Sequence, residues 1–191
     1  MRIVGGRFKG RSLQGPKSNG DKSDGIRPTS DRLRETLFNI LAHSYGDPLP
    51  GARVIDLFAG TGALGLEALS RGADFCMFVD DGAQGRALIR ENVEAFGLGG
   101  VTKIFRRDAR HLGAAPTGAP FTLAFLDPPY QRGLAEPALI ALARGGWLAP
   151  DALVIVEEAV AAMFEPAPGY ELLERRDYGE TEVIFLRCRP G

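Results

Sequence analysis

The sequence predicts one α/β domain in which helices cover both faces of a mostly parallel β-sheet. Short apolar runs typical of strands alternate with segments whose apolar residues recur at helical spacing. A glycine-rich loop follows the first of these runs, and acidic residues follow the next three. The chain of 191 residues, 45% of them hydrophobic, suffices for one domain with a full core.

The N-terminal segment, residues 1–29, is predicted to be a small basic extension ahead of a main domain over residues 30–191. Weak alternation over residues 1–13 indicates a short strand or hairpin, and residues 15–25 have the composition of a polar loop. The run Arg27-Pro-Thr-Ser then begins a helix, with Thr29 or Ser30 as its cap.

The remaining elements alternate along the chain. Helices are predicted at Ala63–Arg71, Gln84–Phe96 and Leu134–Arg144. A seven-stranded sheet is expected, with strands at Arg53–Phe58, Phe75–Val79, Thr102–Phe105, Phe121–Leu126, Leu153–Val156, Tyr170–Arg176 and Glu182–Cys188. The last two strands are predicted to pair antiparallel around a turn at Tyr178 and Gly179.

Composition excludes several classes of protein. No apolar run reaches the roughly 20 residues that a membrane span needs, and the N-terminus lacks the apolar core of a signal peptide. Cys76 and Cys188 do not have the spacing of a disulfide framework or a metal site. We therefore expect a cytoplasmic protein without metal or membrane contact, and a monomer because no apolar stripe is left unexplained.

Charge is distributed unevenly along the chain. The net charge is −1, but residues 1–45 hold nine Lys and Arg against four Asp and Glu, and the remainder holds 14 against 20. This asymmetry favours a polyanion that contacts the N-terminal face. A solvated arm with incidental charge explains it equally well.

Ligands of such sheets bind beyond the carboxyl ends of the strands. Strand one carries Asp56 and leads through Phe58 into Gly60-x-Gly62-x-x-Gly65, which formally matches a dinucleotide-binding loop. An acid so close to the helix start disfavours a pyrophosphate. It favours an ammonium or a sulfonium group instead.

Two more carboxylates follow the next strands. Asp80 lies 18 residues after Gly62, a distance that suits binding of a ribose diol, although a solvated turn acid is the alternative. Asp108 can accept a hydrogen bond from an exocyclic amine or can cap the following segment.

The run Asp127-Pro128-Pro129-Tyr130 after strand four is the most informative motif. Its two prolines remove two N–H donors, which leaves the Asp127 carboxylate and the Pro128 carbonyl as acceptors beside an aromatic ring. This arrangement suits a stacked aromatic amine that is held through its NH₂ group. A rigid strand-to-helix turn is the alternative.

Taken together, Asp56-x-Phe58-x-Gly60-x-Gly62 and Asp127–Tyr130 resemble the motifs of class I S-adenosylmethionine-dependent amino-methyltransferases. With Met1–Gly6, Arg27–Phe38 and Leu66–Arg71, nearly the whole chain resembles the RsmD family. The resemblance implies a Rossmann-like class I methyltransferase fold. It also implies methylation of guanine N2 in 16S ribosomal RNA within the small ribosomal subunit.

The resemblance also implies roles for individual residues. The cofactor S-adenosylmethionine would be bound by Asp56, Phe58, Gly60, Gly62, Asp80, Asp108 and Ala109, with Asp81 a second candidate for the ribose. The target guanine would be held by Asp127, Pro128, Pro129 and Tyr130. Arg27, Thr29 and Arg34 would line the site or meet RNA. The basic N-terminal arm, with Arg7, Lys9 and Arg11, would supply phosphate contacts.

Three other functions remain open from the residues alone. The same Asp127–Tyr130 chemistry serves methylation of adenine N6 or cytosine N4 in DNA or another RNA, although no segment is spare for DNA target recognition. An NAD-dependent oxidoreductase would use the Gly60–Gly65 loop but lacks an evident hydride-transfer acid. A non-catalytic RNA-binding module is favoured only by the basic arm.

Overall fold

The computed structural model describes residues 1–16, 29–130 and 132–189, so Arg27 and most of the predicted loop lie outside the described residues. The described residues form a seven-stranded sheet in the order β3-β2-β1-β4-β5-β7-β6. Its strands are β1 Arg53–Leu57, β2 Phe75–Val79, β3 Thr102–Phe105, β4 Phe121–Leu126, β5 Leu148–Ala159, β6 Tyr170–Tyr178 and β7 Thr181–Cys188. The first five strands are parallel and β7 is antiparallel to both β5 and β6, which confirms the predicted sheet.

Helices cover both faces of the sheet, as predicted. The first face carries α1 Asp31–Ser44, α2 Ala63–Ser70 and α3 Ala83–Phe96, and the second carries α4 Ala135–Arg144. Ser30 is the cap of α1, since its hydroxyl oxygen accepts a hydrogen bond from the Leu33 N–H at 3.1 Å. None of the helices in the described part of the chain has the length and apolar character required to span a membrane.

The structure corrects the bounds of four strands. β5 is longer than the predicted Leu153–Val156, because Leu148 pairs with Phe121 and Glu157–Ala159 pair with β7 although polar residues interrupt the apolar pattern. β1 ends one residue early, since Phe58 has a φ of 59°. β6 and β7 extend to a Tyr178–Thr181 pair, so their turn lies at Gly179 and Glu180.

The predicted N-terminal hairpin is present and packs on the domain. Arg2 and Ser12 form an antiparallel bridge, and Ile3 and Leu13 are buried in the core. The tip lies so close to the end of α2 that a Cβ on Gly6, whose φ is 72°, would clash with the Ser70 carbonyl oxygen. Glycine at position 6 and the buried Ile3 and Leu13 therefore allow the hairpin to pack closely against the domain at the end of α2.

The Arg34 side chain, expected to line the site or meet RNA, is fully buried instead. Its guanidinium lies 3.4 Å from the Glu67 carboxylate and donates to the Thr29 and Arg2 carbonyl oxygens. Glu67 also accepts from the Val4 N–H at 3.0 Å and from Arg71 at 2.9 Å. The expected RNA contact is wrong for Arg34 because no part of it is exposed; it joins the hairpin, α1 and α2 from within.

Removal of the Glu67 carboxylate should destabilise the fold strongly. Glu67→Ala removes the buried carboxylate beside Arg34 and leaves its guanidinium with the more exposed Asp31 carboxylate, 2.9 Å away. Breaking a buried pair costs about 3–5 kcal/mol. Urea unfolding measures this, with the exposed Glu91→Ala on α3 as the control, expected within about 0.5 kcal/mol of the parent. A similar free energy of unfolding for both variants would contradict a structural role of the pair.

Candidate active site

Strand register brings three carboxylates to one edge of the sheet. Asp56 on β1 pairs with Phe125 on β4, and Phe125 pairs with Ile155 on β5. Continuing this register by two residues places Asp127 beside Glu157. Because side chains alternate along a strand, Asp56, Asp127 and Glu157 point to the face that α1 covers.

A single hydroxyl connects two of these carboxylates. The Thr29 Oγ atom lies 2.9 Å from Asp127 Oδ2 and 3.2 Å from Glu157 Oε2. Thr29 is itself held by Arg34, which donates to its carbonyl oxygen at 3.3 Å. Thr29 directly precedes Ser30, the cap of α1, and the start of this helix therefore places the Thr29 hydroxyl beside Asp127.

Burial raises the pKa of the Asp127 carboxyl well above its usual range, and the negative charge of Glu157 raises it further. The hydrogen bond from Thr29 acts in the opposite direction. The backbone of Asp127 is fixed by a contact of 3.5 Å from its N–H to the Leu57 carbonyl oxygen. The carboxyl group is therefore held in place and close to protonation.

The Tyr130 hydroxyl is bound on two sides. It donates to Glu157 Oε1 at 2.9 Å and lies 2.7 Å from the Thr181 hydroxyl. Desolvation of the ring hydroxyl raises the pKa of Tyr130. The ring therefore stands at a fixed position on the wall of the site.

Backbone N–H groups of the glycine loop and its surroundings bind the carboxylates of Asp56 and Asp80. Gly62, with a φ of 80°, begins α2, and Gly65 within that helix donates to Asp56 at 3.0 Å. Asp80 accepts from Gly60 N–H and from Gly82 N–H, both at 2.8 Å. A Cβ on Gly65 would lie 2.4 Å from the Phe78 ring, so glycine is required for α2 to approach β2.

Burial also shifts the titration of these acids. Desolvation raises the pKa of Asp56 to about 8, against the opposing effect of the Gly65 hydrogen bond. Desolvation likewise raises the pKa of Asp80. Asp56 therefore favours its neutral form at neutral pH until a cation lies beside it, and the pKa of Asp80 is displaced in the same direction.

Asp108 has the capping geometry that the sequence left open. It accepts from the Arg110 N–H at 2.9 Å, and the Arg110 guanidinium binds both of its oxygens. Arg110 lowers the pKa of Asp108 below its usual range. Its carboxylate still lines the site, beside the buried Ala109.

One cleft of about 1830 Å³ connects these groups. Ligand pockets commonly hold about 300–1,000 Å³, so this cleft has room for a cofactor and a nucleotide together. Its lining includes most of the predicted cofactor and target residues, namely Asp56, Phe58, Gly60, Asp80, Asp108, Ala109, Asp127, Pro128, Pro129 and Tyr130. Asp81 also borders it, whereas Gly62 does not.

The predicted RNA-binding residues of the hairpin lie elsewhere. Arg7, Lys9 and Arg11 are exposed but do not border the cleft. Phe8 N–H donates to Ser70 at the far end of α2, and Arg11 packs over Phe96 at the end of α3. The structure does not bring these three residues to the predicted target residues.

Several cleft residues were missed by sequence reasoning. Glu157 was not predicted because the fifth strand was expected to end at Val156, one residue before it. Thr181 was not predicted because the last strand was expected to begin at Glu182, one residue after it. Four arginines also border the cleft, namely Arg32, Arg107, Arg110 and Arg132. The sequence signal for Glu157 is its position directly after the apolar run Leu153–Val156, because an acid at the end of a strand is a functional signal.

Curated proteins of similar sequence align with most of the chain. The chain is 38% identical over 198 residues to Ribosomal RNA small subunit methyltransferase D of Escherichia coli K12, covering 96% of this chain and 94% of that protein. It is 35% identical to the protein of the same name in Haemophilus influenzae, covering 82% and 78%.

Solved structures agree with the sequence comparison. Escherichia coli yhhF has a TM-score of 0.83 at 31% identity and covers 100% of this chain and 99% of its own. The hypothetical protein TTHA0928 of Thermus thermophilus has a TM-score of 0.71 at 32% identity and covers 97% and 98%. The family model described as Conserved hypothetical protein 95 matches residues 1–187. The class I methyltransferase fold and the resemblance found in the sequence are thereby confirmed, and the chain belongs to this family, the RsmD family.

Proposed function

We propose that this protein transfers a methyl group from S-adenosylmethionine to the exocyclic N2 of a guanine in 16S ribosomal RNA. The acceptor would be the small ribosomal subunit or an assembly intermediate. Similar proteins that share most of the chain carry the name small subunit methyltransferase. The observation that carries the proposal is the fixed Asp127 carboxyl on the wall of a cleft that also contains the Asp56, Gly60 and Asp80 loop.

The residues of this loop fit the cofactor by charge. S-adenosylmethionine carries a positive ammonium and a positive sulfonium, and the cleft presents Asp56, Asp80 and Asp127. Asp56 would meet the methionine end and Asp80 the ribose. The hydrogen bonds from the Gly60 and Gly82 N–H groups fix the Asp80 carboxylate between the glycine loop and the start of α3. Asp80 is favoured over Asp81, which is more exposed. Asp108 and the Ala109 N–H would meet the adenine.

Asp127 and Pro128 orient the target amine. Guanine N2 is a poor nucleophile because its lone pair is delocalised into the ring. Hydrogen bonds from its NH₂ group to the Asp127 carboxylate and the Pro128 carbonyl align the lone pair, and such positioning supplies several kcal/mol of a barrier. S-adenosylmethionine, when bound, supplies an electrophilic methyl group. Asp127 also offsets the positive charge that develops on nitrogen.

Tyr130 would hold the target base outside its stack. Its hydroxyl is anchored by Glu157 and Thr181, so the ring can offer a face to a flipped guanine at little entropic cost. Thr29 completes this wall from the start of α1. The RNA backbone would be met by the arginines at the cleft and, for a substrate as large as a ribosomal subunit, by Arg7, Lys9 and Arg11 on the hairpin.

The substrate is tested by transfer of labelled methyl groups. Radiolabelled S-adenosylmethionine is offered with small ribosomal subunits that lack the modification, with free 16S RNA and with duplex DNA. We expect label as N2-methylguanine at one position of the subunit. Label in DNA, or as N6-methyladenine or N4-methylcytosine, would overturn the assigned substrate. Failure to bind the cofactor would overturn methyl transfer itself.

Asp127→Asn should reduce methyl transfer by about 10²–10⁴-fold, because the amide cannot take a proton or offset the developing charge. The dissociation constant for the cofactor should change little, since the glycine loop is untouched. Single-turnover kinetics and calorimetric titration measure the two quantities. Equal losses in rate and in cofactor affinity would show that Asp127 acts in cofactor binding instead.

Asp56→Asn should weaken cofactor binding and change how stability depends on pH. The pKa of this carboxyl rises to about 8 on folding, so its contribution to stability is complete below the unfolded pKa of about 3.9 and is lost as pH rises through about 8. The amide is neutral throughout, so the variant should gain in melting temperature over the parent as pH rises. Asp74→Asn, at an exposed position, is the control; an unchanged difference between pH 5 and pH 9 would contradict the raised pKa.

Arg7→Ala combined with Lys9→Ala should weaken binding to the ribosomal subunit without affecting cofactor binding. Each lost phosphate contact should reduce the slope of log affinity against log salt by about 1. The matched control is Arg144→Ala, an exposed change at the end of α4. If the double variant and the parent had the same affinity for the subunit and the same salt dependence, Arg7 and Lys9 would not contact the RNA.

A further inference from the structure

The Thr29 hydroxyl lies between two carboxyls and can connect them by hydrogen bonds. Its oxygen lies within hydrogen-bond distance of Asp127 and of Glu157, and a hydroxyl carries one proton. It donates to one carboxylate and can only accept from the other group. Both contacts are hydrogen bonds when one of the two carboxyls carries a proton.

In the protein without cofactor, the charges around this pair favour one shared proton. Glu157 and Asp56 lie on the same face of the sheet as Asp127, and Glu158 is the next residue along β5; the negative charge of all three raises the pKa of Asp127. Among the described residues, the cationic side chains that border the same cleft are Arg32 from α1 and Arg107, Arg110 and Arg132 from the loops. Tyr130 and Thr181 contribute neutral hydroxyls. Two carboxylates this close resist double ionisation.

We propose that Glu157, acting through the Thr29 hydroxyl, is the final holder of the proton that Asp127 removes from the target amine. This inference rests on the proposed methyl transfer. It gives Glu157 a positioning and proton-holding role in the same site, and it makes Thr29 a relay between two carboxyls.

The step balances in atoms and charge. The amine lone pair forms the N–CH₃ bond as the CH₃–S bond breaks, and the bonding electrons remain on sulfur, which becomes neutral. With the cationic cofactor beside them, both carboxyls would be ionised before transfer. The methylated nitrogen then gives one proton to Asp127. Asp127 passes a proton to the Thr29 oxygen while Thr29 passes its own to Glu157. The site loses one positive charge on sulfur and one negative charge on the carboxyl pair, so its net charge is unchanged.

Glu157→Gln tests this role while keeping the shape of the site. The amide retains an acceptor oxygen for the Tyr130 hydroxyl, so the wall of the cleft stays in place, but it cannot hold the proton. Thr29→Val removes the relay with little change in volume. Thr29→Ser keeps the hydroxyl and serves as the matched control for Thr29→Val.

Carbon-13 NMR of labelled carboxyl groups in the cofactor-free protein gives a readout that does not depend on activity. In Glu157→Gln the titration of Asp127 should move to lower pH, because a negative neighbour is removed. The acid limb of the pH profile of kcat should move in the same direction, and kcat should fall by about 100-fold. Thr29→Val should lose about as much kcat as Glu157→Gln, because it removes the route to Glu157, and Thr29→Ser should recover most of that loss.

Two results would overturn the proposal. An Asp127 titration that is identical in the parent and in Glu157→Gln would show that the carboxyls are not coupled. A shifted titration with unchanged kcat would show that Glu157 does not take the proton. If the parent transfers methyl to no acceptor, the proposed function fails instead, and the NMR titration still reports on the pair.

Discussion

The parallel register of β1, β4 and β5 is the constraint on which the site depends. It fixes Asp56, Asp127 and Glu157 at one edge and on one face of the sheet. A slip of one residue in β5 would turn Glu157 to the opposite face. Thr29 at the start of α1, Tyr130 after β4 and Gly65 of α2 each contact one or more of these carboxylates. Thr181 on β7 in turn holds the Tyr130 hydroxyl.

The same arrangement opposes folding. Burial and mutual repulsion make ionisation of these clustered carboxyls unfavourable. Each of them can act as an anion only when a cation lies beside it. The chain compensates with a large apolar core on both faces of the sheet and with the buried Arg34–Glu67 pair. That pair joins the N-terminal hairpin to α2 and holds the Thr29 carbonyl. Stability and the geometry of the site therefore share one network.

Much of the site could be predicted from sequence because its signals are local. The Gly60–Gly65 loop and Asp127–Tyr130 each follow an apolar strand within a few residues. Glu157 was missed because β5 continues through Pro150, Asp151 and two glutamates, where only pairing with β4 and β7 maintains the strand. Arg34 was misassigned because charge in a sequence does not distinguish an exposed arginine from one buried against an acid on another helix. Hydrogen bonds between distant residues, such as Thr29 to Asp127, leave no signal in one sequence.

A double-mutant cycle tests most directly whether Asp127 and Glu157 act as one unit. The rate of methyl transfer in a single turnover is measured for the parent, Asp127→Asn, Glu157→Gln and the double variant. If Glu157 acts only through Asp127, the double variant should be about as slow as Asp127→Asn alone, since residues that act as a unit are not additive. A rate in the double variant reduced by the product of the two single losses would show independent roles and would contradict this account.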